Sequence, residues 1–200
     1  VRNRGRLVLM SPASFLKRPL GWLRAMSEHH ATVSGGPNFA YQLCVSKTTP
    51  EERRELDLSK WRLAFCGAEP IRPDTLRRFA EAFACAGFRE EAFYPCYGLA
   101  EATLLVSGSD GPRRPLVKRV DRGALSEHRV VEVENDQEQA VQALVGCGTT
   151  WLGQEVAIVD TDTRRRLPER QVGEIWVRGL SVAKGYWNRP EDTRLDFRAT

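Results

Sequence analysis

A chain of 200 residues with 42% hydrophobic composition can bury a core of ordinary size, enough for one domain or two small ones. Its 30 basic and 26 acidic residues leave a net charge of +4, with 15 against 11 in residues 1 to 105, an excess too mild to point to a nucleic-acid partner. No apolar stretch approaches the roughly 20 residues that a membrane-spanning helix needs, and Val1 to Gly5 lack the apolar core of a signal peptide.

In chain order, Pro12 to His30 reads as a helix interrupted at Pro19, with Phe15, Leu16, Leu20, Leu23 and Met26 as its apolar side. His29 and His30 fall near its end. The segment ATVSGGPN, residues 31–38, is a short strand running into a Gly loop, followed by the helical pattern of FAYQLCV. RLAFCGAEP, residues 62–70, repeats the arrangement, and Pro73 then opens a helix whose Leu76, Phe79, Ala80 and Phe83 recur at the spacing of one helical face. Gly87 is its stop. AFYPCYGLAE, residues 92–101, is a third strand and loop.

Strands alternating with helices pair in parallel, and unbroken apolar runs mark strands buried on both faces. The first half, residues 1–106, is therefore expected to be α/β, a mostly parallel sheet with flanking helices, whose loops open at one carboxyl edge where such folds bind ligands. From SGSDGPRRP onward the character changes. EVAIVD and EIWVR are strand candidates, Ile175 and Val177 facing one way and Trp176 and Arg178 the other, so residues 107–200 form a smaller β-rich unit. Pro190 opens a last short helix.

Five cysteines (Cys44, Cys66, Cys85, Cys96, Cys147) form no Cys-x-x-Cys pair, and His29, His30 and His128 sit at no metal-ligand spacing, which fits a reducing, cytoplasmic setting. Cys66 and Cys96, inside apolar runs, read as packing residues rather than nucleophiles. Neither a Gly-x-x-x-x-Gly-Lys-Ser/Thr loop, a Gly-x-Gly-x-x-Gly loop nor a Gly-x-Ser-x-Gly turn is present. What remains is a set of Gly loops, an aromatic at Tyr97, and two carboxylates, Glu69 and Glu101, each just past a strand end. From spacing alone Glu101 is equally a surface charge or a residue held at the mouth of a site.

The blocks SGGPNFAYQLC, FCGAEPIRPDTLRRFAEAF, FYPCYGLAEATLLVSG, LVGCG, GQEVAIVD and VGEIWVRGLSVAKGYWNRPE, in this order, resemble the adenylate-forming enzyme superfamily, and within it the fatty acyl-AMP ligases. The resemblance implies activation of a fatty acid by ATP to acyl-AMP, then transfer of the acyl group to the phosphopantetheine thiol of an acyl carrier protein. It implies that Glu101 is the catalytic, Mg2+-associated glutamate, and that Gly67, Ala68, Glu69, Pro70, Tyr97, Gly98, Leu99 and Ala100 border the nucleotide. Ser34, Gly35, Gly36, Asn38 and Phe39 match the segment beside the acyl tunnel. Ala100 stands where many relatives carry a phosphate-binding Thr, so phosphate contact must come from elsewhere. GTTWLGQ, residues 148–154, departs from the family's Gly-Arg-Pro-like turn, and residues 112–133 fall where these ligases carry an insertion that disfavours CoA as acceptor. The chain is expected to be the middle of an adenylation domain that does not adenylate alone. The alternatives are part of an acyl-CoA ligase, or a module that binds nucleotide or acyl chain without chemistry.

Overall fold

A computed structural model describes residues 5–134, 140–151 and 153–198; Val1 to Arg4 and Leu152, on which two of the sequence expectations touch, lie outside the described residues. The chain divides into two compact units, residues 1–94 with 111–115 and residues 95–110 with 116–200.

The first unit is α/β. Helix α1 (Pro12–Lys17) starts at Ser11, whose side chain accepts from the N–H of Ser14, with Pro12 supplying the fixed φ of a first helical residue. The break at Pro19 is where the sequence places it, and α2 (Leu20–Glu28) follows, burying Leu20, Leu23 and Met26. Leu16, expected on the apolar side, is instead 58% exposed. The break supplies the reason: α1 and α2 are separate rods, and a face defined across both does not stay in register.

Strand β1 (Val33–Gly36) leads through Pro37 into α3 (Asn38–Ser46), and α4 (Pro50–Arg54) opens with a reciprocal capping box between Thr49 and Glu52. Strand β2 (Leu63–Cys66) pairs in parallel with β1 in the register Val33 to Leu63 through Gly36 to Cys66. The loops beginning after Gly36 and at Gly67 therefore leave neighbouring carboxyl ends. Helix α5 (Pro73–Phe83) packs on α3 and buries Leu76, Phe79 and Phe83. A 3-10 turn continues it to Ala86, and Gly87 at φ 80 ends it, with Gly87 N–H donating to Ala84 O and Phe88 N–H to Phe83 O. That pair of bonds satisfies carbonyls a helix end leaves open, and only glycine enters the left-handed region without strain.

The core of this unit is aromatic. Trp61, Tyr41, Phe79, Phe83 and Phe93 are almost fully buried, and Tyr41 meets Phe79 at 5.0 Å and Phe93 at 5.3 Å, edge to face. Burying each contributes about 1.5–3 kcal/mol, plus the favourable geometry of edge-to-face rings. Tyr41 also donates its hydroxyl to Phe65 O at 2.7 Å, which ties α3 to β2. Cys66 is wholly buried, as expected of a packing residue, and so is Cys44, whereas Cys96, read the same way, is only half-buried near the end of its strand.

Strand β3 (Phe93–Tyr97) carries the chain into the second unit, where β4 (Ser107–Gly108) pairs antiparallel with its end and with β7 (Thr149–Thr150). Strand β5 (Val117–Asp121) and β6 (Val141–Val145) form an antiparallel ribbon. Between them lies α6 (Arg122–Ser126), capped by Asp121, whose carboxylate accepts from Ala124 N–H. Strands β8 (Glu155–Val159) and β9 (Glu174–Arg178) are the two expected from EVAIVD and EIWVR, paired antiparallel, and α7 (Pro190–Phe197) begins at the proline that announced it. This unit is β-rich, with Val106, Val120 and Val159 buried. The simple alternation expected for β9 is not seen: Ile175 is 42% exposed, while Trp176 and Val177 are both half-buried. Two-stranded ribbons twist strongly, so neither face is covered uniformly.

Candidate active-site elements

Each unit carries its own cleft. In the first, a cavity of about 340 Å³ opens where β1 turns into α3, within the size range of small-ligand sites. Ser34, Gly35, Gly36 and Phe39, four of the five residues matched to the acyl segment, line it together with Met10, Phe15 and Trp22. Its walls are mainly apolar, with Ser11 and Ser34 as the polar side chains, and the indole N–H of Trp22 is occupied, since Nε1 donates to Ser34 Oγ at 2.9 Å. Gly35 is demanded by close packing: a Cβ there would lie 2.1 Å from Phe65 O.

Asn38, the fifth, does not line the cleft. It is 4% exposed at the start of α3, and its Oδ1 accepts from Arg72 N–H at 3.0 Å. A reciprocal stitch runs the other way, with Phe39 N–H donating to Glu69 Oε1 at 2.6 Å. Pro37 offers no side chain to cap α3, so a carboxylate from the β2 loop meets an unpaired N–H and the positive end of the helix. The loop Gly67, Ala68, Glu69, Pro70 is thereby joined to the acyl-side segment. Ala68 holds φ 66, a left-handed conformation that costs a non-glycine residue about 1–2 kcal/mol.

In the second unit, Tyr97 ends β3, and Gly98 and Leu99 lead into a 3-10 turn over Ala100–Ala102. Glycine at 98 has a steric cause, for a Cβ there would overlap Leu104 O at 1.5 Å. The turn is closed by Ala102 and Leu104 N–H groups donating to Leu99 O, with Thr103 at φ 56 and Leu104 at φ 86. Tyr97 is half-buried and borders an open cleft of about 460 Å³ with Cys147 and Thr149, while Gly148, at φ 74, turns the chain beneath Gly108. That close approach is what the GTTWLGQ segment builds at its start, with Trp151 38% exposed beyond it.

Glu101 and Leu99 line a second cavity, of about 370 Å³, with Trp176, Tyr186, Asp196 and Phe197 among its other walls. Glu101 Oε1 accepts a hydrogen bond from the Tyr186 hydroxyl at 2.5 Å, which together with a backbone hydrogen bond holds the Glu101 carboxyl below the usual carboxylate range. The same bond pushes the Tyr186 phenol up from its ordinary value, with Asp196 adding to the effect. Glu101 is thus an ionised carboxylate with one oxygen in use and one free of that bond. Among the described residues no group of three or more His, Cys, Asp or Glu could enclose a metal ion. A lone carboxylate fits Mg2+ only as one ligand beside substrate phosphates and water, which is how that ion is commonly held.

Tyr186 was not singled out by reading the sequence. It sits within the block VGEIWVRGLSVAKGYWNRPE, but 85 residues from Glu101, and only the paired fold brings them together.

The α/β fold, with parallel strands, flanking helices and further β-structure, is that of adenylate-forming enzymes. The chain belongs to the AMP-binding enzyme family, whose profile matches residues 1–187. It is 47% identical over 192 residues to the medium-chain-fatty-acid–[acyl-carrier-protein] ligase JamA of Moorena producens, covering 96% of this chain and 32% of that protein. To the corresponding ligase TtuA of Teredinibacter turnerae it is 38% identical over 191 residues, covering 96% and 29%. The structure of a fatty acyl-adenylate ligase from Legionella pneumophila, in complex with acyl adenylate and pyrophosphate, superposes with a TM-score of 0.87 at 49% identity, covering 92% of this chain and 32% of that one. The chain thus spans about a third of the length of these relatives.

Proposed function

We propose that this chain contributes the acyl-binding and nucleotide-facing elements of a fatty acyl-AMP ligase. The observation that carries the reading is the apolar cleft built from Ser34, Gly35, Gly36 and Phe39 at the carboxyl end of a parallel strand pair, in a chain with 47% identity to a fatty-acid ligase. Such a cleft, apolar over most of its lining, accepts an alkyl chain chiefly by burial.

In the reaction, a fatty acid carboxylate oxygen attacks the α-phosphorus of ATP. The bond from that phosphorus to the bridging oxygen breaks, and pyrophosphate leaves with the electron pair. A thiolate then attacks the acyl carbon, and AMP departs. The protein's part is position and charge. Gly67, Ala68, Glu69 and Pro70, fixed to α3 by the Asn38 and Glu69 hydrogen bonds, are the nucleotide-facing backbone of the first unit, and Tyr97, Gly98, Leu99 and Ala100 that of the second. Glu101 supplies the carboxylate for Mg2+, which when bound offsets the charge of the phosphates. The acceptor in this reading is an acyl carrier protein, through its phosphopantetheine thiol, and the setting the cytoplasm; what supports the carrier protein is that two relatives are named acyl-carrier-protein ligases. No helix among the described residues is long and apolar enough to cross a membrane.

The test is fatty-acid-dependent ATP–pyrophosphate exchange by the complete protein, with Glu101→Gln as the variant. Exchange that depends on a medium- or long-chain acid and falls at least about 100-fold in the variant is expected, the scale lost when one charge-stabilising group is removed. Exchange indifferent to the fatty acid, or an undiminished Glu101→Gln enzyme, would refute the reading. Transfer to CoA in preference to carrier protein would overturn the acceptor.

A further inference from the structure

Three hydrogen bonds tie the loop after β9 to the turn that carries Glu101. Ala183 N–H donates to Glu101 O at 2.7 Å, and Thr103 Oγ1 donates to Ser181 O at 2.6 Å. The third is the Tyr186 hydroxyl on Glu101 Oε1, at 2.5 Å. The first two hold backbone to backbone or side chain to backbone and would serve any loop. Only the third reaches the carboxylate.

Tyr186 is itself fixed from behind. Its N–H donates to Thr193 Oγ1 at 2.9 Å, and its ring stands edge to face on Phe197 with centroids 5.1 Å apart. Both partners lie on α7, so the backbone at 186 is held to that helix and swinging the hydroxyl off Glu101 gives up the ring contact with Phe197. Gly185 permits the approach: it holds φ 142, and a Cβ there would come 2.3 Å from Thr193 Cγ2. A glutamate on an exposed turn otherwise samples several rotamers, and a phosphate-bound cation needs its oxygen in one place.

We propose that Tyr186 is a positioning residue for Glu101: its hydroxyl holds Oε1 and so presents the remaining carboxylate oxygen to the cation that accompanies the nucleotide. The inference rests on the assignment of Glu101 to Mg2+ made above and goes beyond it by naming what orients that carboxylate. A tyrosine at 186 would then contribute through its oxygen alone, the ring and backbone contacts belonging to the loop.

The experiment uses the complete protein as wild type, Tyr186→Phe, Thr103→Ala and Glu101→Gln. Mn2+ binding in the presence of α,β-methylene-ATP is followed by electron paramagnetic resonance, beside the Mg2+ dependence of pyrophosphate exchange and the unfolding midpoint. Tyr186→Phe keeps the ring on Phe197 and the bond to Thr193. It is expected to weaken Mn2+ binding about 10-fold, the low end for losing a hydrogen-bond partner of a metal ligand, and to raise the KM for Mg2+ with a smaller effect on kcat at saturating Mg2+. Thr103→Ala removes a strap that does not touch the carboxylate and should leave Mn2+ affinity unchanged. Wild-type Mn2+ affinity in Tyr186→Phe with weakened binding in Glu101→Gln would overturn the positioning role alone. Equal weakening in Tyr186→Phe and Thr103→Ala would reduce Tyr186 to a strap and also overturn it. Wild-type Mn2+ affinity in Glu101→Gln would remove Glu101 from the metal and take the inference down with it.

Discussion

Replacing Asn38 by Ala tests how the acyl-side and nucleotide-side loops of the first unit are held together. Asn38 is 4% exposed, and its Oδ1 is the acceptor for Arg72 N–H, the residue preceding α5. A neutral hydrogen bond contributes about 0.5–1.5 kcal/mol net, but the asymmetry matters more: truncation leaves a part-buried N–H with no acceptor, at about 1–3 kcal/mol. The expected loss is therefore about 2 kcal/mol. In urea, with a slope of about 2 kcal/mol per molar for cooperative unfolding of the unit that holds Asn38, that is a midpoint lower by roughly 1 M. The assay is urea unfolding of the complete protein followed by tryptophan fluorescence, for which Trp61, 1% exposed in the same unit, is a buried reporter. Glu69→Ala, breaking the reciprocal stitch to Phe39 N–H, should also destabilise, but with an effect that shrinks in high salt because a carboxylate at a helix N-terminus acts partly through its charge. A midpoint for Asn38→Ala within about 0.2 M of wild type, with weakened acyl-adenylate binding instead, would show that Asn38 acts on ligand and that the stitch is incidental.

Two further outcomes follow from the packing. Gly98→Ala places a methyl 1.5 Å from Leu104 O, a clash with backbone that no rotamer relieves, so the turn carrying Glu101 should be rebuilt and near-ultraviolet circular dichroism and pyrophosphate exchange both lost; a folded, active Gly98→Ala protein would sink the steric account. Burial pushes the Cys44 thiol up to about 12, and a pKa raised in the folded state contributes stability that is whole below the unfolded value near 9 and declines as pH rises from there toward 12. Stability measured between pH 8 and 10 should fall above about pH 9 less steeply in Cys44→Ala than in wild type, and at pH 8 an alkylating reagent should modify the exposed Cys85 while sparing Cys44 until the chain unfolds.

Much of the first unit was legible from the sequence because its signals are local. Pro12 and Pro73 open helices, Pro19 breaks one and Gly87 stops another, each through φ and a missing or freed N–H that no distant contact has to supply. The strands announced by LAFC and EVAIV are likewise where their apolar runs put them. The apolar cleft was half legible: Ser34, Gly35, Gly36 and Phe39 sit together as a contiguous segment must, but Met10, Phe15 and Trp22 join them through α1 and α2 packing.

Tertiary structure alone decided what surrounds the charged groups. Glu69 and Asn38 look like ligand-facing residues in one dimension, yet each spends its side chain on the other's loop: Glu69 meets an N–H at the start of α3 that Pro37 cannot cap, and Asn38 meets the N–H of Arg72, before α5. Tyr186 meets Glu101 across 85 residues through the way the loop after β9 and α7 fold back onto the Ala100–Ala102 turn. Backbone propensity and hydrophobic period act over a few residues and are written in neighbouring letters. A hydrogen bond between two exposed side chains has no such period, so its partners are known only when the chain has closed on itself.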